Sequence, residues 1–194
     1  MERQVTEDQA REHDRVYQLG WSLTKGLLLL DGDDPSRRPG WFARRRLRRA
    51  LGCFEAALQI FPDGWQSLWA MGKIHQRLGE SAESLGCLAR AYQLKPDQPG
   101  VAREAGIAAT ELGDGPRAVQ FTRAAIALVP DDPGLVSNLA LALLINRQVE
   151  EARAVAADAV ARAPADPIAK TVRRLIEDVA AGRRPQPRSG RELG

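Results

Sequence analysis

The chain has 194 residues, of which 44% are hydrophobic and 27% are charged, a composition typical of a folded domain with its own core. The formal net charge is +3 at pH 7, and residues 182–194 account for all of it. Residues 1–181 are formally neutral, which argues against a basic, nucleic-acid-binding body.

The N-terminal residues are acidic and lack an apolar stretch, so no secretory signal is predicted. The apolar segment 19–30 is interrupted by polar residues and glycines and is too short to span a membrane. Cys53 and Cys87 are too few for a disulfide framework or a four-cysteine zinc site. They are predicted to be small buried thiols in a cytoplasmic protein.

Two amphipathic helices and a connecting loop are predicted in residues 4–62. The first helix has its stripe at Val16, Leu19, Gly20 and Leu23, and the second at Leu47, Ala50, Leu51, Phe54, Ala57 and Leu58. Residues 31–40 are rich in Asp, Gly and Pro and are predicted to be an inserted loop. The apolar run Leu27–Leu30 either packs under this loop or joins a second copy of the chain.

A proline recurs every 34 residues from the end of the second helix onwards, at Pro62, Pro96, Pro130 and Pro164. Each proline follows an apolar helical stretch, where a residue without an N–H group ends a helix. Small residues recur in the same frame: Ala57, Ala91, Ala125 and Ala159; Ala50, Ser84, Ala118 and Ala152; and Gly72, Gly106 and Ala140. A constant period of this length predicts stacked helix pairs in which small side chains allow close approach.

This pattern resembles the tetratricopeptide repeat, a 34-residue helix-turn-helix unit. The copy at 65–96 resembles it most, through Leu68, Met71, Gly72, Gly79, Ser84, Leu88, Ala91 and Pro96. The copies at 99–130 and 133–164 depart more: Thr122 and Ala156 stand where Phe54 and Leu88 stand, and Arg147 replaces a turn glycine. The resemblance implies an all-α solenoid of antiparallel helix pairs.

The complete prediction is one domain over residues 1–182. It comprises an irregular pair (4–62), three regular repeats, and a capping helix at 166–181, which such stacks need for solubility. The composition of 183–194 predicts a disordered basic tail, with a docking motif as the alternative interpretation.

The resemblance also implies a concave groove lined by the first helix of each repeat. The groove positions are Gln66, Trp69, Lys73, Gln76 and Arg77, then Arg103, Glu104, Ile107 and Thr110, then Ser137, Asn138 and Leu141. This mixture suits an extended or helical protein segment with apolar anchors and carboxylates. Trp69 either contacts that segment or covers the preceding repeat. The carboxylate-clamp pattern for chaperone tails does not match, since Glu104 has the wrong charge.

The densest charge cluster in the chain includes Arg44, Arg45, Arg48 and Arg49. Because the apolar residues between them face inward, the arginines are predicted to form a solvated outer face. Binding of RNA or an anionic surface is the alternative.

Catalytic and metal-binding motifs are absent from the sequence, and neither a cofactor nor a metal is expected. His75 is predicted to have a packing role. The sequence therefore predicts a non-catalytic scaffold or adaptor for another protein. The alternatives are a secretion-type chaperone and, from another class, a binder of RNA or anionic surfaces. Self-association is a further alternative.

Overall fold

The computed structural model describes residues 5–28 and 39–193, and the regular structure in these residues is entirely helical. The helices are α1 (Glu7–Thr24), α2 (Trp41–Ile60), α3 (Trp65–Leu78), α4 (Ser81–Leu94), α5 (Pro99–Leu112), α6 (Gly115–Leu128), α7 (Pro133–Ile145), α8 (Val149–Arg162) and α9 (Pro167–Ala180), followed by a 3₁₀ turn at Gly190–Glu192. The all-α class of paired helices predicted from the sequence is confirmed.

The helices belong to two compact units, where the sequence predicted a single domain over residues 1–182. Unit 1, Met1–Leu94, contains α1 to α4, and each helix packs on the next. Unit 2, Lys95–Gly194, contains α5 to α9 and residues 183–193. Within unit 2, sequential helices pack together, α5 also packs on α7, and α7 also packs on α9.

The repeated prolines lie between helices, as predicted: Pro62, Pro96, Pro130 and Pro164 each follow the last residue of a second helix by two positions. A second set of prolines begins α5, α7 and α9, where the missing N–H group has no helical partner to lose. Side chains of Asp114, Asp132 and Asp166 accept hydrogen bonds from free N–H groups at the starts of α6, α7 and α9. Thr6 and Gln9 form a capping box that begins α1.

Three first helices end in the same left-handed turn. Gly79 and Gly113 have φ of 82° and 90°, and Arg147, at the same place in the next repeat, has φ of 62°. In each turn the following residue donates its N–H to a carbonyl five residues back, with N···O distances of 2.9 Å in all three. Arg147 therefore keeps the turn geometry without a glycine.

In every repeat the two paired helices approach each other closely at one point, where a residue of the first helix faces a residue of the second. The sizes of these two residues are related. A Cβ at Gly20 would lie 2.9 Å from the Phe54 ring, and one at Gly72 would lie 2.5 Å from Leu88 Cγ. The equivalent Gly106 faces Thr122 Oγ1 at 2.5 Å. In the last repeat both positions are alanine, Ala140 and Ala156, and both are buried. A bulky second-helix residue thus requires a glycine opposite it, whereas a small one permits Cβ.

The aromatic side chains of unit 1 pack around Phe54. Its ring centroid lies 5.5 Å from that of Trp21 and 6.0 Å from that of Tyr17, in edge-to-face geometry. Leu27 and Leu28 pack against the same core, while the rest of the apolar run and residues 31–38 of the inserted loop lie outside the described residues. Of the helices in the described residues, none is long and apolar enough to cross a bilayer.

Residues 183–193, called the tail below, are folded, which corrects the prediction of disorder. Gly182 has a positive φ of 69° and ends α9, and the tail then packs against α5. Pro187 is buried, and Gln186 donates a hydrogen bond from Nε2 to the carbonyl oxygen of Leu144 in α7. Composition indicated disorder because the tail lacks a core of its own; helices α5 and α7 supply the surface on which it packs.

Candidate functional site

The first helices α1 and α3 form one candidate surface in unit 1, called the α1–α3 face. An open cavity of about 730 Å³ lies there. Its lining includes His13, Tyr17 and Gln18 from α1, and Gln66 and Ser67 from α3. Gln66, one of the predicted groove residues, is therefore exposed at a cavity rather than on a flat surface.

The first helices α5 and α7 form the corresponding α5–α7 face of unit 2. A smaller cavity of about 160 Å³ lies on it. The cavity is lined by the predicted groove residues Ile107, Thr110, Asn138 and Leu141, by Glu111 of α5, and by two residues of the tail, Gly190 and Leu193. Helices 34 residues apart thus bring their groove residues together, because equivalent turns of the repeat face the same side.

The twelve predicted groove residues differ in exposure. Lys73, Glu104 and Ser137 are only 6%, 5% and 2% exposed, so their side chains are enclosed by neighbouring packing. Thr110 is 9% exposed and donates a hydrogen bond from Oγ1 to the Gly106 carbonyl within its own helix, at 2.9 Å. The position of a residue around its helix did not by itself predict which polar groove residues are buried and which are exposed. The half-buried members are Trp69, Gln76, Arg77, Arg103, Ile107, Asn138 and Leu141.

Trp69 is half-buried and packs against the core of unit 1. Its ring centroid lies 6.2 Å from that of Trp21 in α1. One portion of the indole therefore covers the first helix pair, and the remainder is accessible to solvent. Removing it would disturb the core, so Trp69 is a poor residue with which to test binding.

His75 and Arg48, one member of the arginine cluster, meet at the half-buried carboxylate of Glu80 in unit 1. His75 Nδ1 lies 2.8 Å from Glu80 Oε2, and Arg48 pairs with both Glu80 oxygens. Burial acts to raise the pKa of Glu80, but the hydrogen bonds from His75 and Arg48 outweigh it and lower that pKa from its ordinary value of 4.5. The arrangement links α2, α3 and the start of α4, consistent with the packing role predicted for His75.

The remaining predicted basic patch, Arg44, Arg45 and Arg49, is exposed, and the apolar residues between the arginines are buried as predicted. Sequence reasoning missed the two aromatic residues that precede the patch. Trp41 and Phe42 are 66% and 77% exposed, and the Arg45 guanidinium carbon lies 5.8 Å from the Trp41 ring centroid. Their position just outside the apolar stripe of α2 was the signal that could have shown them to be exposed.

No group of three or more His, Cys, Asp or Glu side chains within residues 5–28 and 39–193 is arranged to hold a metal ion. Cys53 and Cys87 are half-buried free thiols, and burial raises the pKa of each, so both are protonated at neutral pH and poor nucleophiles.

Comparison with known proteins identifies the family. The tetratricopeptide repeat family matches residues 42–99, 69–133 and 103–167, which together cover more than half of the chain. The chain belongs to the tetratricopeptide-repeat family. No curated protein matches its sequence.

Solved tetratricopeptide-repeat structures share the fold at low identity. A crystal structure of MamA has a TM-score of 0.72 and 13% identity, and the match covers 89% of this chain and 84% of that one. YrrB, described as a TPR protein with an unusual peptide-binding site, has a TM-score of 0.62 and 15% identity, with 73% of each chain covered. The first TPR of Spaghetti (RPAP3) bound to the HSP90 peptide SRMEEVD has a TM-score of 0.54 and 20% identity, covering 60% of this chain and 93% of that one.

Proposed function

We propose that the protein is a non-catalytic scaffold that binds an extended segment of another protein on the first-helix face of its repeats. The observation that carries this proposal is the α5–α7 face, where a short segment of polypeptide already packs as a 3₁₀ turn at Gly190–Glu192. Gly190 and Leu193 of this segment line one cavity together with Ile107, Asn138 and Leu141. A surface that accommodates one such segment has the shape and the hydrogen-bonding groups to accommodate another. Peptide binding by YrrB and RPAP3 supports the same use of the fold.

The chemistry of the face indicates what the partner segment contains. Ile107 and Leu141 offer apolar contact, and Asn138 offers both a donor and an acceptor for a peptide group. Leu193 of the tail lines the same cavity as Ile107 and Leu141, so an apolar side chain already contributes to this site. We therefore propose a partner that supplies an apolar anchor together with backbone groups that hydrogen-bond to Asn138.

The test is affinity capture from the native lysate with a matched pair of variants. The face variant carries Asn138→Ala and Leu141→Ala, and the control carries Arg44→Ala, Arg45→Ala and Arg49→Ala on the exposed side of α2. We expect one polypeptide to be retained by the wild type and the control, and lost by the face variant, provided circular dichroism shows that all three remain helical.

Two other results would contradict the proposal. Loss of the polypeptide from the arginine control alone would place binding on α2. Recovery of RNA, abolished by ribonuclease and by the arginine substitutions, would favour the anionic-ligand alternative, which the exposed Trp41 and Phe42 beside the arginines also fit.

A further inference from the structure

The tail meets the α5–α7 face over most of its length. Leu144 and its hydrogen-bonding partner Gln186 lie at one end of the contact, beside the last turn of α7. The 3₁₀ turn packs against α5 at the other end, and Leu193 reaches the cavity between Ile107 and Leu141. The contacts therefore follow the surface on which the proposed function places a partner.

Two glycines allow the backbones of the tail and α5 to touch. If Gly190 carried a Cβ, it would lie 3.0 Å from the Glu111 Cα and 3.2 Å from the Thr110 carbonyl oxygen. A Cβ at Gly113 would fall on the Arg188 carbonyl oxygen. The two backbones lie so close that neither position has room for a side chain. The contact therefore requires glycine both in the tail and at the end of α5.

The tail also holds its own shape. Arg184 donates from Nη2 to the Glu192 carbonyl at 3.0 Å, and Arg188 donates its backbone N–H to Glu192 Oε2 at 3.0 Å. Arg183 pairs with Asp178 of α9 at 2.8 Å, which fixes the point where the tail leaves that helix. A segment with these internal bonds loses less conformational entropy on docking than an unrestrained chain would.

We infer that residues 183–193 are a ligand of the α5–α7 face that the chain itself carries, and that a partner protein reaches this face only by displacing them. The inference rests on the proposed function for the existence of the partner. It adds the occupant of the face, and with it the chemistry of the partner: a segment that forms a similar turn and has a glycine three residues before a leucine, like Gly190 and Leu193.

Displacement has a quantitative consequence. A ligand tethered beside its site has an effective concentration of the order of millimolar. If the tail covers the face about 99% of the time, a partner binds about 100-fold more weakly than it would to the open face. Variants that release the tail should therefore bind more tightly, whereas variants that damage the face should bind more weakly.

The first experiment asks whether the tail is docked in solution, using trypsin cleavage after Arg188 in the full chain. Gly190→Val should release the tail and raise the cleavage rate about ten-fold or more, because cleavage requires local opening. Gly100→Val is the matched control, since Gly100 is exposed in the first turn of α5 and a Cβ there meets nothing within 4 Å. It should leave the rate unchanged.

A second pair of variants tests the same contact from the α5 side. Gly113→Ala and Gly79→Ala impose similar backbone strain, since both glycines have positive φ, but only Gly113 faces the tail. Gly113→Ala should accelerate cleavage after Arg188 and Gly79→Ala should not. Equal rates in the wild type and in both tail-releasing variants would overturn the inference, and the capture experiment on the proposed function would be unaffected.

The third measurement adds the tail in trans. A fluorescein-labelled peptide of residues 183–193 should bind the Gly190→Val protein at least about ten-fold more tightly than the wild type, whose face is occupied. The same peptide with Gly190→Val should bind neither. Equal binding to both proteins, or none to either up to about 1 mM, would contradict the inference, because docking in cis requires a Kd below the effective concentration.

Discussion

Units 1 and 2 present the same kind of first-helix face in two different states. The α1–α3 face of unit 1 has an open cavity of about 730 Å³, whereas the α5–α7 face of unit 2 has one of about 160 Å³ that is partly walled by the tail. The helix pairs that build the two faces obey one repeat pattern. The difference teaches that a repeat pattern specifies a binding face, while chain outside the repeats can determine whether that face is free.

The interiors of the two units differ as well. Unit 1 fills the space between paired helices with Phe54 and Leu88 against glycines, whereas unit 2 uses Thr122 and Ala156. All four tryptophans, at positions 21, 41, 65 and 69, lie in unit 1, so tryptophan fluorescence reports on its unfolding, and circular dichroism reports on both units.

Phe54→Ala should have the largest effect on stability. The ring is fully buried among Tyr17, Trp21 and Gly20, and its removal leaves a cavity that rigid helices cannot close. We expect a loss of about 3–5 kcal/mol in the free energy of unfolding, measured with urea and tryptophan fluorescence. The equivalent change in unit 2, Ala156→Gly, should cost only about 1 kcal/mol by circular dichroism. Similar losses would show that the interiors do not differ as described.

Gly72→Ala should destabilise unit 1 by about 1–3 kcal/mol, because the added methyl group would lie 2.5 Å from Leu88 Cγ in a closed core. Gly86→Ala is the control: Gly86 is exposed in α4 and a Cβ there meets nothing within 4 Å, so it should stabilise by about 0.5–1 kcal/mol. Combining Gly72→Ala with Leu88→Ala should cost less than the sum of the two single changes. Strict additivity would argue against direct contact.

Arg147→Gly should stabilise unit 2 by about 0.5–1 kcal/mol, because glycine adopts the positive φ of 62° without the penalty of a side chain. Gly79→Ala in the equivalent turn of unit 1 should destabilise by a similar amount. The first change introduces a glycine at the positive-φ position of the turn, and the second removes one. The effect of each on stability is measured from the thermal midpoint. A loss of stability in Arg147→Gly would mean that the arginine side chain contributes more than its backbone strain removes.

Glu80→Gln should have the smallest effect at neutral pH, about 0.2–0.5 kcal/mol, because Arg48 is half-exposed and its ion pair is partly screened. The folded-state pKa of Glu80 is lower than 4.5, so its contribution is complete above pH 4.5 and is lost as the pH falls through the folded pKa. The wild type should therefore lose more stability than the variant as the pH is lowered from about 5 through the folded-state pKa of Glu80, measured by urea unfolding at each pH. Parallel curves would contradict this assignment.

Local residues were enough to predict most of the helix boundaries. The prolines every 34 residues, the aspartates at helix starts and the turn glycines act on the backbone around them, so their effects can be read without knowing the partners of each helix. The sequence placed Gly72 and Leu88 in the repeat frame, but only the structure shows that they face each other. It also shows that Arg147 keeps the turn in which a glycine stands in the two preceding repeats.

Side-chain exposure on the first helices could be predicted less well. Lys73 and Asn138 both belong to the groove set, yet Lys73 is buried and Asn138 is half-buried. Helical phase gives the direction of a side chain from its axis, whereas burial depends on how closely the neighbouring helices approach. The exposure of Trp41 and the burial of Pro187 depend on the same packing.

The sequence by itself determined the helix pairs, their 34-residue frame and the membership of the repeat family, because these follow from short-range interactions repeated at constant spacing. Only the tertiary structure decided where the tail lies. Its contacts join Gln186 to Leu144 and Gly190 to Glu111, and no periodic pattern encodes such pairs. They form because folded helices present a complementary surface to a segment that has no core of its own.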